Sequence, residues 1–178
     1  MTSSFRDDPL LETARAFLSF LIGLLILAMA GLVLALPAVV IWRHDVLSEI
    51  AEKYGAIAQP NALIWSFVAV MAFGLAIIFC GFRLLLLLRR IVDSVADGDP
   101  FVPQNAERLR TMAWLTIAAQ LIGVPAAVLG SWIALTLKNA DFDFGVSLGG
   151  LLLALTLFIL ARVFRQGAAM REDLEGTV

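Results

Sequence analysis

Four stretches of this chain are too long and too apolar to be accommodated in water: residues 16–42, 62–88, 111–137 and 144–164. The hydrocarbon core of a bilayer is about 30 Å thick, and roughly 20 apolar residues cross it as a helix. Within lipid each backbone amide and carbonyl must find its partner inside the protein, and a run of this length does so by coiling on itself. The composition agrees, with 61% hydrophobic and 16% charged residues against roughly 45–50% and about 25% in soluble domains. The expectation is an all-α membrane protein of four transmembrane helices, forming one domain over residues 1–178. The remaining pieces are expected to be a short N-terminus, two loops of about 20 residues, one tight loop and a short tail, too short for a separate soluble domain, which takes on the order of 100 residues.

Other classes fall away on the same numbers. Disorder needs low hydrophobicity and high net charge. One cysteine, Cys80, cannot make a disulfide framework. A net charge of -2 and a pI near 5.3 speak against direct binding of nucleic acid, which calls for a basic excess. The first apolar run exceeds the roughly 7–15 residues of a cleaved signal peptide's core. The segment before it (Arg6, Asp7, Asp8, Glu12, Arg15) is not net positive, so this span is expected to be retained. Asp8 followed by Pro9 reads as an N-cap with proline at the first helical position.

Orientation follows from Lys and Arg in the short connections. Ten lie on one side: Arg6 and Arg15 before the first span, Arg83, Arg89, Arg90, Arg108 and Arg110 around the central loop, and Arg162, Arg165 and Arg171 at the tail. Only Arg43, Lys53 and Lys138 lie on the other. Both termini and the central loop 89–110 are therefore expected in the cytoplasm. Trp42, Trp65 and Trp132 then fall near the outer interface and Trp114 near the inner one, depths that suit amphipathic rings.

Small residues mark helix contacts in lipid. Gly145 and Gly149 form a GxxxG pair, and Gly123, Ala126, Ala127 and Gly130 form similar pairs on the third span. These fit packing within one chain, with a homo-oligomer as the alternative. Pro37 is expected to end the first helix and Pro125 to bend the third. Gln120 is the one strongly polar residue deep inside a span, and it is expected to hydrogen-bond between helices. A small-molecule binding or transport role around Gln120 is the alternative. No Asp, Glu, Lys or His stands mid-span, whereas ion-coupled transporters carry such groups.

The pattern does not suggest an enzyme, and no cofactor is implied. His44, the only histidine, sits beside Arg43 at a span's edge. One His and one Cys do not make a zinc site. The carboxylates Asp141 and Asp143 flank Phe142 in the third connection, where a solvated turn is expected, because a cation cage takes more oxygens.

The sequence is most informative on the side rich in arginine. Arg83, Arg90, Asp93 and Asp97 share one helical face, and Leu84, Leu88, Ile91, Val92 and Val95 the opposite one. The second helix is therefore expected to run past the membrane as an amphipathic extension, as far as Ala96 or Asp97. Gly98-Asp99-Pro100 breaks it and Pro103 starts the next helix. The tail repeats the pattern, with Arg162, Arg165, Gln166 and Asp173 opposite Val163, Phe164, Gly167, Met170 and Leu174. Two such extensions are expected to pack on each other or on a partner. Positive and negative residues balance in both segments, so neither is a polybasic lipid-binding cluster of the usual kind, and a protein partner is expected. Glu172 and Asp173 add an acidic end for a basic partner.

The stretch Gly98-Asp99-Pro100-Phe101-Val102-Pro103-Gln104-Asn105-Ala106-Glu107-Arg108-Leu109-Arg110, with Val163-Phe164-Arg165-Gln166-Gly167 near the end, resembles four-span bacterial membrane proteins of the domain-of-unknown-function 2975 family. Gly176, where an apolar residue is expected before the final Thr177-Val178, departs from the pattern. The resemblance implies a multi-pass protein of the bacterial inner membrane with no established activity. It further implies a membrane-anchored regulatory protein that binds or sequesters a small cytoplasmic helix-turn-helix regulator. The positions it points to for that partner are Gly98, Pro100, Phe101, Asn105, Arg108, Leu109, Arg110, Val163, Phe164, Arg165 and Gly167. Several of them have ready structural roles in a turn and a helix start.

Overall fold

The computed structural model describes residues 9–137 and 147–175, and of 174 and 175 the backbone only. Five helices follow one another: α1 (Pro9–Ile41), α2 (Arg43–Tyr54), α3 (Pro60–Ala96), α4 (Pro103–Leu137) and α5 (Leu148–Glu175). Four of them, all but α2, are long and apolar enough to cross a membrane. The 37 residues of α3 make a rod about 55 Å long at 1.5 Å per residue, well over one bilayer core. α3 ends at Ala96 and α4 begins at Pro103, as the sequence pattern predicts. α1 begins at Pro9, while Asp8, its expected cap, lies outside the described residues. So do Arg6, Asp7, Lys138, Asp141, Phe142, Asp143, Gly145 and residues 176–178. The fourth span, expected from residue 144, is described as helix from Leu148.

Two expectations need correction. Pro37 does not end the first helix, which runs on to Ile41 with Pro37 inside it. A proline in a membrane helix removes a single backbone donor, and its surroundings can satisfy the freed carbonyl. The connection before the second span is not simply a loop, because Arg43–Tyr54 forms α2. Asp45 in its first turn and Lys53 in its last complement the helix dipole. Gly55, at φ 87°, stops it and donates its N–H to Ala51 O.

The chain divides into two compact units. One comprises residues 1–25, 80–118 and 148–178, the other 26–79 and 119–147. In the second unit Leu63, Ile133 and Leu137 form a buried core, with Ile50 of α2 and Ile57, Phe67, Val70 and Trp132 packed on it. Gly123, Ala126 and Gly130 are buried too, which supports packing within the chain for these small residues.

In the first unit three stripes face inward at alternating spacings of three and four. They are Leu84, Leu87, Ile91 and Ser94 on α3, Ala106, Leu109, Ala113 and Thr116 on α4, and Ala154, Leu157, Ala161, Phe164 and Ala168 on α5. That spacing is the seam of left-handed helix packing. Leu87, Ile91, Leu109, Met112, Ala113, Leu157 and Ala161 form the buried cluster along it. Alanine recurs in these stripes because close backbone approach, and not exclusion from water, holds helices together in lipid. α1 joins the unit through buried Leu18 and Ile22 and through an ion pair from Arg15 Nε to Asp93 Oδ1 at 2.7 Å. The outward side chains Phe17, Phe20 and Leu24 are exposed, as lipid-facing residues would be.

Candidate functional site

The arginine-rich end of the first unit is built around the turn between α3 and α4. Glycine is needed at position 98, where φ is +85°, a region costly for residues with a Cβ. Gly98 N–H donates to Val95 O and Asp99 N–H to Ser94 O, both at 3.0 Å. This pair of bonds is the Schellman arrangement, which satisfies the last carbonyls of a helix. Pro103 then opens α4, where a missing N–H costs nothing.

Asn105 fastens the turn. Its side chain is completely buried, and a buried amide must be hydrogen-bonded. Nδ2 donates to Ser94 Oγ at 2.6 Å and to Pro100 O at 2.9 Å. Oδ1 accepts from Arg108 Nη1 at 2.7 Å, and the same nitrogen donates to Arg90 O at 3.0 Å. Ser94 Oγ in turn donates to Ile91 O at 2.8 Å. One amide thus ties the end of α3, the turn and the start of α4 into one piece. Asn105 is more than a support for a helix start, and Ser94, an ordinary helix serine by sequence, is its necessary partner.

Phe101 joins the turn to α5. Its ring lies 5.4 Å from that of Phe164, centroid to centroid, at 41°. It also fills the notch left by Gly167, where a Cβ would stand only 2.7 Å from Phe101 Cδ1. Two ion pairs flank this contact. Arg165 Nη2 meets Glu107 Oε1 at 2.8 Å, and Arg171 pairs with Asp99. The end of α5 is therefore packed within the chain, against the α3–α4 turn and the start of α4.

Of the residues singled out by sequence, Gly98, Pro100, Phe101, Asn105, Arg108, Phe164, Arg165 and Gly167 meet in this assembly. Leu109 is buried in the core below it. Val163, Glu172 and Asp173 are exposed on α5, and Arg110 is exposed on α4. Arg110 comes within 3.9 Å of Glu107. Gln120 stands apart, in the second unit. Its Nε2 donates to Ser147 O at 2.9 Å, and its Oε1 accepts from Ser147 N–H at 3.1 Å. It grips the backbone immediately before α5, whereas the sequence predicts a bond between two helices. His44 is exposed in the first turn of α2. Among the described residues no three His, Cys, Asp or Glu side chains converge to hold a metal ion.

The family model for a protein of unknown function, DUF2975, matches residues 46–178. The chain belongs to that family. No curated protein and no solved structure matches it. The assembly around Asn105 and Phe101 lies wholly within the matched region, and four helices able to cross a membrane make this family member a multi-pass membrane protein.

Proposed function

We propose that this family member is a membrane-anchored, non-enzymatic interaction protein whose paired helix ends hold a small basic regulator of the helix-turn-helix kind. One observation carries the reading. Val163, Gly167 and Met170 share a stripe on α5, and Phe101 occupies the notch at Gly167. Val163, Phe101 and Met170, exposed by 50%, 42% and 62%, are thereby aligned as an apolar strip outside the buried core. Exposed Glu172 and Asp173 follow it on α5. An amphipathic basic helix is the complement of an apolar strip with an acidic end. The Schellman turn and the Asn105 network hold the strip rigid, and a preorganised surface binds at lower entropic cost.

The arginine bias of ten to three supports placing this end, with both termini, in the cytoplasm of a bacterium, at its inner membrane. Gly98, Pro100, Asn105, Arg108 and Leu109 build the platform, and Phe101, Val163, Glu172 and Asp173 present it. The test is affinity capture of the tagged chain from native membranes after crosslinking in cells, alongside the Val163→Asp/Met170→Asp variant. The expected result is a small DNA-binding protein enriched with the parent chain and lost from the variant. Recovery of no cytoplasmic protein, or equal recovery from both, would overturn the proposal.

A further inference from the structure

Charge counts taken segment by segment show no basic cluster, because positive and negative residues alternate along the chain. Folding sorts them. A cleft of about 440 Å³ opens between α4 and α5, lined by Arg110, Arg162, Arg165, Gln166, Phe158 and Ala161. Three arginines from two separate segments line one space. Its size is that of a small-molecule site.

The electrostatics of the cleft leave it positive. Glu107 is the acidic group beside it, with Oε1 taken by Arg165 at 2.8 Å and Oε2 at 3.9 Å from Arg110. One carboxylate thus braces two arginines and neutralises one charge. Arg162 is exposed and has no ion-pair partner among the described residues. Three positive groups against one negative leave about two charges for an anion to meet. Guanidinium groups fit phosphate oxygens in pairs of parallel hydrogen bonds, so an arginine cleft selects phosphate over a spherical anion.

The surroundings indicate which kind of phosphate. Arg110 directly precedes the apolar run of α4, and Arg162 directly follows the apolar part of α5. The cleft therefore sits at the boundary between hydrocarbon and water, whichever side of the membrane it faces. Its floor, Phe158 and Ala161, is apolar, and Trp114 packs edge-on against Phe158 with ring centroids 5.5 Å apart. Toward the hydrocarbon the same α5 stripe continues as Leu155 and Leu151, exposed by 56% and 46%, and Trp114 is exposed by 56%. A free phosphate would use the arginines and leave this apolar path empty. An anionic phospholipid uses both, with its head among the arginines and its chains along Trp114, Leu155 and Leu151. Basic pockets between membrane helices are known to take such headgroups.

We infer that the Arg110–Arg162–Arg165 cleft is a binding site for the phosphate headgroup of an anionic phospholipid. The inference concerns lipid alone and does not depend on the protein partner proposed above. The test uses the full chain purified in neutral detergent and native mass spectrometry of retained lipid. Phosphatidylglycerol, phosphatidylcholine and inorganic phosphate are offered in parallel to the parent chain, Arg162→Gln, Arg110→Gln/Arg162→Gln, and the control Arg89→Gln. Arg89 is an exposed arginine on α3 outside the cleft.

Phosphatidylglycerol is expected to be retained in preference to phosphatidylcholine. Retention should fall about fivefold for the single cleft variant and about 25-fold for the double. The control should keep it, with size-exclusion profiles and helical content unchanged in all. Equal retention of the two lipids, or an equal loss in Arg89→Gln, would overturn the site. Inorganic phosphate binding as tightly as phosphatidylglycerol would overturn the lipid as its occupant.

Discussion

The Phe101 ring rests on Gly167, closing the α3–α4 turn against α5 where a Cβ would come within 2.7 Å of the ring. An aromatic side chain and an absent one, 66 positions apart in the chain, together form one contact. The pairing explains why the turn motif and the element near the end of the chain belong to one pattern. Each is shaped to receive the other.

This contact predicts a specific coupling. Gly167→Ala should push the ring off α5 and destabilise the protein by about 1–3 kcal/mol, the usual range for overpacking. The cost arises only while the ring is there. In a Phe101→Ala background the same substitution should be nearly neutral, and a double-mutant cycle read by thermal unfolding in detergent makes the comparison. Equal costs in both backgrounds would place the penalty somewhere other than the ring.

Much of this architecture could be read before any coordinates. Length and apolarity alone mark the four spans, and the periodic faces around Leu88 and Val163 announce that α3 and α5 run on as helix beyond their apolar stretches. Gly98 and Pro103 give the ends of the two helices to within a residue, because turn chemistry is local. What could not be read depends on distance in the chain. Helix α2 has only Val46, Leu47, Ile50, Ala51 and Tyr54 to set against its charges, and Ile50 finds its reason in a core that includes Ile133, far along the sequence. Ser94 looks like any helix serine until Asn105 is folded onto it. The arginine cleft is hidden for the same reason, since Arg110 and Arg162 lie in segments that each balance their charge.

The Asn105 network predicts a sharp discrimination between near-isosteres. Asn105→Ala takes the donor from Pro100 O and Ser94 Oγ and leaves the Arg108 nitrogen with Arg90 O alone, and should cost roughly 2–3 kcal/mol, because orphaned buried groups lose their full solvation. Asn105→Asp keeps an oxygen for Arg108 but turns the two-hydrogen donor into an acceptor facing the carbonyl of Pro100. It should therefore destabilise at least as much as alanine despite the new opposite charge. Thermal unfolding of both variants checks this. An aspartate variant as stable as the parent would mean that the amide is not donating to Ser94 and Pro100.

The last prediction concerns Gln120, whose amide holds both the N–H and the carbonyl of Ser147. These two bonds fix the residue that precedes α5, the helix that carries Val163, Gly167 and the cleft arginines. Gln120→Leu removes both while preserving an apolar side chain of similar size. Hydrogen bonds of this kind within lipid are worth about 0.6–2 kcal/mol, so the first turn of α5 should open roughly 3–30 times more often. Hydrogen exchange measured by mass spectrometry should accelerate by that factor in the peptide containing Ser147. The turn around Gly98, fastened by Asn105, should keep its protection. Gln120→Glu retains an acceptor for the Ser147 N–H and loses the donor to its carbonyl, so it should fall between parent and leucine. Faster exchange confined to the start of α5 is the mark of a structural clamp. Unchanged exchange there, with a small-molecule-dependent thermal shift that Gln120→Leu abolishes, would instead assign the amide to a ligand.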